Sequence, residues 1–247
     1  MRLALLTDIH ANREAFSACL AHAERQKADQ YAFTGDFVGY GPDPAWVLDT
    51  VIDYVSRGAI VVQGNHDVAA TREARPSMHA EAREVINWTR GQLSAGHVRF
   101  LAELPLTHEQ DDMLFVHASA NNPAKWEYVT GIEEAELSLF ATDCKMVFSG
   151  HVHSPALYRR AQDETMGAHV PTPGKPIPLK AMHQHLVIPG SVGQPRDGNS
   201  AACYAIYDDV VREVTFFRVP YDHGAAARKV IAAGLPIVFA MRLIEGI

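Results

Sequence analysis

Five short apolar segments, each ending in polar residues, set the strongest limit on how this chain can fold. They read "RLALLTD", "QYAFTGD", "AIVVQGNHD", "MLFVHAS" and "KMVFSGHVH". Uninterrupted apolar runs of strand length are typical of strands that are buried on both faces in a mainly parallel sheet. The segments between them have helical periodicity, so the sequence predicts an α/β fold.

Other local patterns predict how the rest of the chain is organised. Thr130 and Glu133 have the spacing of a capping box at the start of a helix. A helical pattern at about 77–104 ends at a proline and predicts an insertion that could wall or cover a site, whereas the Pro/Gly-rich residues 170–179 predict a loop. Without an internal repeat or a low-complexity segment, the sequence favours a single domain over residues 1–247.

Composition excludes several classes of protein. A net charge of -7 and a pI near 6.0 leave no general basic surface for duplex nucleic acid, so nucleic acid is an unlikely partner. Cys19, Cys144 and Cys203 are odd in number and far apart, which argues against a disulfide framework or a thiolate metal site and favours a reducing cytoplasm. No segment approaches the ~20 apolar residues that would cross a membrane.

Potential metal ligands follow each of the five predicted strands. They are Asp8, His10, Asp36, Asn65, His66, His117, His151 and His153. The carboxyl ends of parallel strands meet at one edge of a sheet, so we expect these side chains to lie together. His151 and His153 are two residues apart, which places them on the same side of an extended segment. His22, His79 and His97 lie on helical segments and are expected to be ordinary histidines.

These motifs resemble those of the calcineurin-like metallophosphoesterases, whose pattern is D-x-H, G-D, G-N-H-D/E, H and G-H-x-H. All five blocks occur in order within residues 8–153, as "DIH", "GDFVGYG", "GNHD", "VHAS" and "GHVH", and the later "PGSVGQPRDG" is similar to bacterial members. A match in several parts is far more specific than one short motif. The resemblance implies a two-layer mixed β-sandwich flanked by helices, with a dinuclear metal site at the carboxyl ends of the strands.

The resemblance also implies which residues hold the ions. The first ion would be bound by Asp8, His10, Asp36 and His153. The second would be bound by Asp36, Asn65, His117 and His151. Asp36 would therefore bridge two divalent ions. Imidazole, carboxylate and amide ligands without a thiolate suit manganese, iron, nickel or zinc, and manganese is the metal we expect.

Further residues are assigned catalytic or binding roles by the same resemblance. The histidine of "GNHD", His66, would stabilise the transition state or protonate the leaving oxygen, and Asp67 would orient its imidazole. The alternative is that His66 only caps its loop. Asn12 is expected to secure the loop behind the first ion. Substrate contact and packing are equally open for Tyr40, Asn121, Ser191 and Arg196.

The activity that this resemblance implies is metal-dependent hydrolysis of small phosphodiesters or nucleotide polyphosphates, by attack of a metal-bridging hydroxide. Tyr40 stands where phosphoprotein phosphatases of the family tend to carry an arginine in GDxVxRG, which disfavours a phosphoprotein substrate. A Ser/Thr phosphatase-like activity, a nuclease and a non-catalytic scaffold of the same fold are the alternatives. The acidic composition disfavours the nuclease, and the complete ligand set disfavours the scaffold.

Overall fold

The computed structural model describes residues 1–72 and 80–247. Within them, the strands are β1 (Arg2–Leu6), β2 (Gln30–Phe33), β3 (Ile60–Val61), β4 (Thr107–Gln110), β5 (Met113–Val116), β6 (Met146–Phe148), β7 (Ala156–Arg160), β8 (Met166–His169), β9 (Pro176–Pro178), β10 (Gln184–Ile188), β11 (Ala202–Asp208) and β12 (Glu213–Val219). The α-helices are α1 (Arg13–Arg25), α2 (Pro44–Ser56), α3 (Asn65–Thr71), α4 (Ala80–Gln92), α5 (Ala95–Glu103), α6 (Ile132–Phe140), α7 (His223–Ala232) and α8 (Ile237–Glu245).

The strands form two mixed sheets, in the orders β3-β2-β1-β11-β12-β9 and β4-β5-β6-β10-β7-β8. Strands β1, β2 and β3 are parallel in the first sheet, and β5, β6 and β10 are parallel in the second. The α/β class with two mixed sheets flanked by helices is therefore confirmed. The prediction of one mainly parallel sheet was wrong, because the five strands divide between two sheets and later strands pair with them in antiparallel register.

Burial on both faces explains the uninterrupted apolar runs. In β1, Leu3 and Leu5 point into the core between the sheets, where they join Phe148 of the second sheet. Leu6 points the other way and packs in a cluster with Phe16 of α1. Because successive residues of a strand face opposite sides, both sets of side chains must be apolar. Helix α6 covers the outer face of the second sheet in the same manner.

Helix α6 begins one residue later than the sequence predicted. Gly131 is its N-cap and Ile132 its first residue, so the predicted capping box of Thr130 with Glu133 was wrong. In this register Ala135 and Leu139 are buried, and Glu133 lies in the first turn. A carboxylate there still interacts favourably with the positive end of the helix dipole.

The predicted insertion at 77–104 contains α4 and α5, although its residues 77–79 lie outside the described residues. The predicted loop at 170–179 contains the short strand β9, so that prediction was wrong for Pro176–Pro178. Ile177 pairs with Val214 of β12 at the edge of the first sheet. Prolines are compatible with an edge strand, since one side of it needs no ladder hydrogen bonds.

The C-terminal helices α7 and α8 pack against each other and share an apolar cluster with Val85 of α4. Tyr40, from the loop after β2, packs against the same cluster. The three cysteines are buried and form no disulfide. Among the helices of the described residues, none combines the length and apolar character needed to cross a membrane.

Candidate metal centre

The predicted ligands converge where the carboxyl ends of strands from both sheets meet. Five of them have a positive φ between 48° and 69°, namely Asp8, His10, Asp36, His151 and His153. Non-glycine residues rarely adopt this left-handed conformation, and it is often found at functional sites. The backbone therefore turns sharply at these ligands to direct their side chains.

His151 and His153 come together in a different way from the one predicted. Strand β6 ends at Phe148, so the two histidines lie in the loop beyond it and not in extended backbone. Their φ values of 69° and 65° place both in left-handed turns. They reach the same site through these turns, and strand alternation has no part in it.

The donor atoms form two main groups. Asp8, His10 and His153 make the first, and Asp36, His117 and His151 make the second, with the atoms of each group within 4.8 Å of one another. Asp36 lies between the groups, since its Oδ2 is 3.7 Å from His10 Nε2 and 3.4 Å from His117 Nε2. Asn65 completes the set of predicted ligands, because its Oδ1 is 3.2 Å from His117 Nε2.

Three of the histidines are fixed by hydrogen bonds on the side of the ring away from the site. Each has its Nδ1 within hydrogen-bond distance of a backbone carbonyl, which only accepts, so Nδ1 carries the hydrogen. The Nε2 of the neutral ring then presents a lone pair to the site, as in many metal-binding histidines. The pairs are His10 with Val38, His117 with Thr34 and His153 with Gln194, at 3.2, 2.7 and 2.6 Å.

These lone pairs face one another inside the protein. His10 Nε2 lies 3.1 Å from His153 Nε2, and His117 Nε2 lies 3.2 Å from His151 Nδ1. Asp8 Oδ1 is buried beside them and has no hydrogen-bond partner among the described residues. Buried acceptors in this arrangement repel one another unless a cation or a proton lies between them. Two donor atoms that bind the same metal ion lie about as far apart as these nitrogen atoms do.

The pKa values follow from burial and from the mutual proximity of the groups. Burial lowers the pKa of His10 well below its usual range and, together with His117, lowers that of His151 to about 3. Burial opposes ionisation of Asp36, but the neighbouring His117 and His66 outweigh it and hold its pKa well below the usual range. Burial likewise opposes a charge on His117, yet Asp36 raises its pKa to about 9. A proton on His117 and a metal ion would therefore compete for the same position.

Asp67 has a different position from the one predicted. Its two carboxylate oxygens accept backbone N–H groups of Asp36, Phe37 and Gly64 at 2.8, 2.9 and 2.9 Å. His66 Nδ1 is buried and has no hydrogen-bond partner within the described part of the chain. The prediction that Asp67 orients the imidazole of His66 was therefore wrong, because its oxygens are engaged by the loop that carries Asp36.

His66 is instead positioned by packing against Gly39. Gly39 has a φ of +89°, and a Cβ at this position would lie 2.4 Å from His66 Nδ1. A glycine is therefore required both by the backbone conformation and by the closeness of the ring. His66 also forms a group with His10 and Asp36 whose ligand atoms lie within 4.8 Å, which places it at the centre of the site.

Two of the possible substrate contacts lie beside the predicted metal ligands. The ring centroid of Tyr40 is 4.5 Å from those of both His10 and His66. Arg196 Nη2 donates to the Tyr40 hydroxyl at 3.4 Å, and its guanidinium lies 5.9 Å from the centroid of the Tyr40 ring. Arg196 Nε is buried without a hydrogen-bond partner among the described residues.

The other candidates support loops. Ser191 Oγ donates to the backbone carbonyl of Asp8 at 2.9 Å and accepts a backbone N–H at 2.8 Å, which accounts for its burial by packing. Asn12 caps α1 and donates to the Gly193 carbonyl at 2.8 Å, as expected for a residue that secures the loop. Asn121 is half-buried, and its backbone N–H donates to Ser119.

Two of the three predicted ordinary histidines lie elsewhere. His22 Nδ1 lies 2.7 Å from the Tyr204 hydroxyl, and His97 pairs with Asp49. His79 falls outside the described residues. Helical histidines with such local partners have no place in the metal centre.

Tyr128 also lies at the site, although no sequence motif predicted it. Its ring stacks on His151 with centroids 4.0 Å apart and an interplanar angle of 14°, while 49% of the residue is exposed. Tyr128 therefore forms an aromatic wall at the solvent side of the second group. An aromatic residue shortly after the "VHAS" motif is the available signal, and it does not reveal a stacking partner.

Comparison with known proteins agrees with this fold and site. The family model of the calcineurin-like phosphoesterase superfamily domain matches residues 1–209, and the chain belongs to this family. A metallophosphoesterase from Sphaerobacter thermophilus is 36% identical in sequence, with a TM-score of 0.89 over 100% of this chain and 99% of that one.

Two further proteins are similar over nearly the whole chain. An uncharacterized protein of Methanocaldococcus jannaschii is 30% identical over 249 residues, which cover 99% of this chain and 98% of that protein. A hypothetical protein of Pyrococcus horikoshii has a TM-score of 0.81 at 20% identity, over 99% of this chain and 98% of that one, and so shares the fold.

Proposed function

We propose that the protein is a dinuclear metal-dependent phosphoesterase that hydrolyses small phosphodiesters or nucleotide polyphosphates. The observation that carries this proposal is the pair of buried donor groups, Asp8–His10–His153 and Asp36–His117–His151, with Asp36 between them. Membership of a phosphoesterase family supports the reaction class.

The residues present fit two divalent ions. Each group combines a carboxylate with imidazole nitrogens, which suits manganese, iron, nickel or zinc. The unpartnered Asp8 Oδ1 and the facing nitrogens of His10 and His153 would both be satisfied by a cation. Asp8, His10, Asp36 and His153 would hold one ion, and Asp36, Asn65, His117 and His151 the other. Manganese is our preferred ion.

When bound, two such ions would supply Lewis-acid stabilisation of the phosphoryl oxygens and a hydroxide nucleophile near neutral pH. The chain's own contribution is the orientation of the ligands. Carbonyls behind His10, His117 and His153 hold each ring in one tautomer, and the Asp67 carboxylate holds the loop that carries Asp36. Because these contacts exist before any ligand binds, the site needs little reorganisation.

His66 is the residue we assign to the reacting phosphate. It lies among the ligands but is not needed to complete either set of four. Burial lowers the pKa of His66, so its ring is neutral at physiological pH and can donate one hydrogen. As a hydrogen-bond donor, the neutral ring would stabilise charge on a phosphate oxygen. Protonation of the leaving oxygen would require the imidazolium form of His66.

Arg196 is the residue we assign to the phosphate charge. Its Nε is a buried donor without a partner, which is costly unless a ligand supplies an acceptor. The guanidinium lies near Tyr40, which occupies the position of the arginine in phosphoprotein phosphatases of the family. An arginine from the loop after β10 would thus supply the positive charge that the loop after β2 lacks.

The substrate that these features favour is small. A net charge of -7 disfavours a long polyanion such as duplex DNA, while a local arginine and bound cations suit a single phosphodiester or polyphosphate. Tyr40 in place of arginine disfavours a phosphoprotein. The buried, unpaired cysteines agree with a reducing cytoplasm as the place of action.

The test combines metal analysis with hydrolysis of bis-p-nitrophenyl phosphate. The wild-type protein loaded with manganese should bind two ions and turn over the ester, whereas Asp36→Asn should lose metal and most of its activity. Asp53→Asn, an exposed change on α2, is the matched control and should behave as the wild type. Full occupancy and full turnover in Asp36→Asn would exclude Asp36 as the bridging ligand. A wild-type protein that binds metal but hydrolyses no phosphate ester would support the scaffold alternative.

A further inference from the structure

A cavity lies beside Tyr40, and none of the candidate metal ligands lines it. It has a volume of about 180 Å³ and is lined by Tyr40, Glu81, Ala82, Val238, Phe239 and Arg242. Its walls come from the loop after β2, the start of α4 and the first half of α8. Tyr40 is thus a wall shared by this cavity and the candidate metal centre.

Tyr40 has an unusual backbone conformation. Its φ is +62°, a left-handed conformation that is uncommon for a bulky residue. The ring centroid of Tyr40 lies 4.5 Å from that of His66 and 4.8 Å from that of Phe239. Tyr40 therefore contacts both a residue of the candidate metal centre and a wall of this cavity.

The lining has the chemistry of a site for a flat ring with a polar edge. Tyr40 and Phe239 are aromatic, and Val238 is an apolar, 38% exposed side chain. Arg242 lies over Phe239 with 5.5 Å between its Cζ and the ring centroid, and Glu81 contributes an exposed carboxylate. Aromatic and guanidinium groups stack on nucleobases, while a carboxylate accepts hydrogen from a ring N–H, such as N3–H of thymine, or from an exocyclic amino group.

The size of the cavity agrees with one heterocycle. A cavity of about 150 Å³ accommodates benzene, so 180 Å³ has room for a pyrimidine or for the six-membered ring of a purine. Helix α8 also lies beyond residues 1–209, the part that the family model matches. The wall that α8 supplies therefore lies outside the part of the chain that the family model matches.

We propose that this cavity binds the nucleobase of a nucleoside phosphodiester whose phosphate lies at the metal centre. The inference rests on the proposed function, and it specifies the substrate class as nucleotides. Tyr40 and Phe239 contact the ring, and Glu81 and Arg242 hold its polar edge. The loop after β2 thus supplies Asp36 to the metal centre and Tyr40 to the base.

The test uses two substrates with the same leaving group, thymidine 5′-(p-nitrophenyl phosphate) and methyl p-nitrophenyl phosphate. The wild type should have at least a tenfold higher kcat/KM for the thymidine ester. Val238→Trp fills the cavity and should remove most of this preference by raising KM for the thymidine ester, with the methyl ester changed less than twofold. Met241→Trp, also exposed on α8 but outside the lining, is the matched control and should keep the preference.

Binding of thymidine 5′-monophosphate, measured by calorimetry, separates this inference from the proposed function. The dissociation constant should rise at least tenfold in Val238→Trp and stay unchanged in Met241→Trp. If neither ester is hydrolysed but this difference in binding is found, the proposed function fails and the nucleobase site stands. Equal kcat/KM for both esters in the wild type, or unchanged nucleotide binding in a folded Val238→Trp protein, would overturn the nucleobase site.

Discussion

Replacement of Asp67 by asparagine should lower the free energy of unfolding even in the metal-free protein. The side chain of Asp67 is fully buried and accepts four backbone N–H groups, from Asp36 and Gly64 on Oδ2 and from Phe37 and Val38 on Oδ1. Asparagine has almost the same shape but a single acceptor oxygen, so its amide group must face at least one of these donors. The substitution thus tests whether Asp67 holds the loop after β2.

The magnitude follows from the bonds that are lost. If the asparagine oxygen takes the place of Oδ2, the bonds from Asp36 and Gly64 remain, and the N–H groups of Phe37 and Val38 lose their acceptor. Burial and the nearby Asp36 raise the pKa of Asp67 to about 8, so the side chain carries little charge at neutral pH and the loss comes from the unpaired donors. Each buried donor left unsatisfied costs about 1–3 kcal/mol. We therefore expect the free energy of unfolding to fall by about 3–5 kcal/mol, a large part of the total for a typical domain.

Urea denaturation of the metal-free protein, followed by circular dichroism, measures this change. Asp53→Asn is the matched control, because the exposed pair of Asp53 with Arg57 should contribute less than about 1 kcal/mol. Manganese titration of the folded Asp67→Asn protein should also show weaker binding, since Asp36 lies on the loosened loop. A loss of less than about 1 kcal/mol, with metal affinity equal to that of the wild type, would refute the assigned role.

Three further predictions test other parts of the molecule. Gly39→Ala places a Cβ 2.4 Å from His66 Nδ1, so turnover should fall at least about tenfold while metal content, measured by elemental analysis, stays near that of the wild type; unchanged turnover would show that His66 is free to shift. His66→Ala should likewise retain its metal, and its turnover should fall by about 10²–10⁴ for a ribose leaving group but less for p-nitrophenolate; loss of metal would make His66 a ligand instead. Burial, with His183, Arg159 and Arg212 nearby, lowers the pKa of His185 to about 4 from 6.5, so the unfolded chain binds more protons between these pH values. Stability should therefore fall by up to about 3 kcal/mol as the pH drops from about 6.5 to 4, and His185→Leu should flatten this slope in urea denaturation.

The sequence was informative about the site because its ligands directly follow apolar strands. Asp8, Asp36, His117 and His153 could be assigned from motif order, and the structure brings them together. Strand pairing was less predictable, since it depends on contacts between residues far apart in the chain. Nothing local in β1 reveals that it pairs with β11 on one side, about two hundred residues later.

Two errors have a more local origin. The Thr130–Glu133 spacing matched a capping box, but the burial of Ala135 and Leu139 favours a helix start one residue later. Asp67 was assigned to His66 because the two are adjacent in sequence, whereas its side chain reaches back to the loop after β2. Tyr128 and α8 approach the site only through tertiary packing, which periodicity does not encode.

The origin of the ligands in both sheets has a consequence for how the protein unfolds. Asp8, Asp36 and Asn65 follow strands of the first sheet, whereas His117 and His151 follow strands of the second. Ions held by both sets would cross-link the two layers, so the layers could separate only after the ions dissociate. Ion binding would then stabilise the native state by mass action and slow its unfolding, and a chelator would shorten the lifetime of the fold as well as stop catalysis.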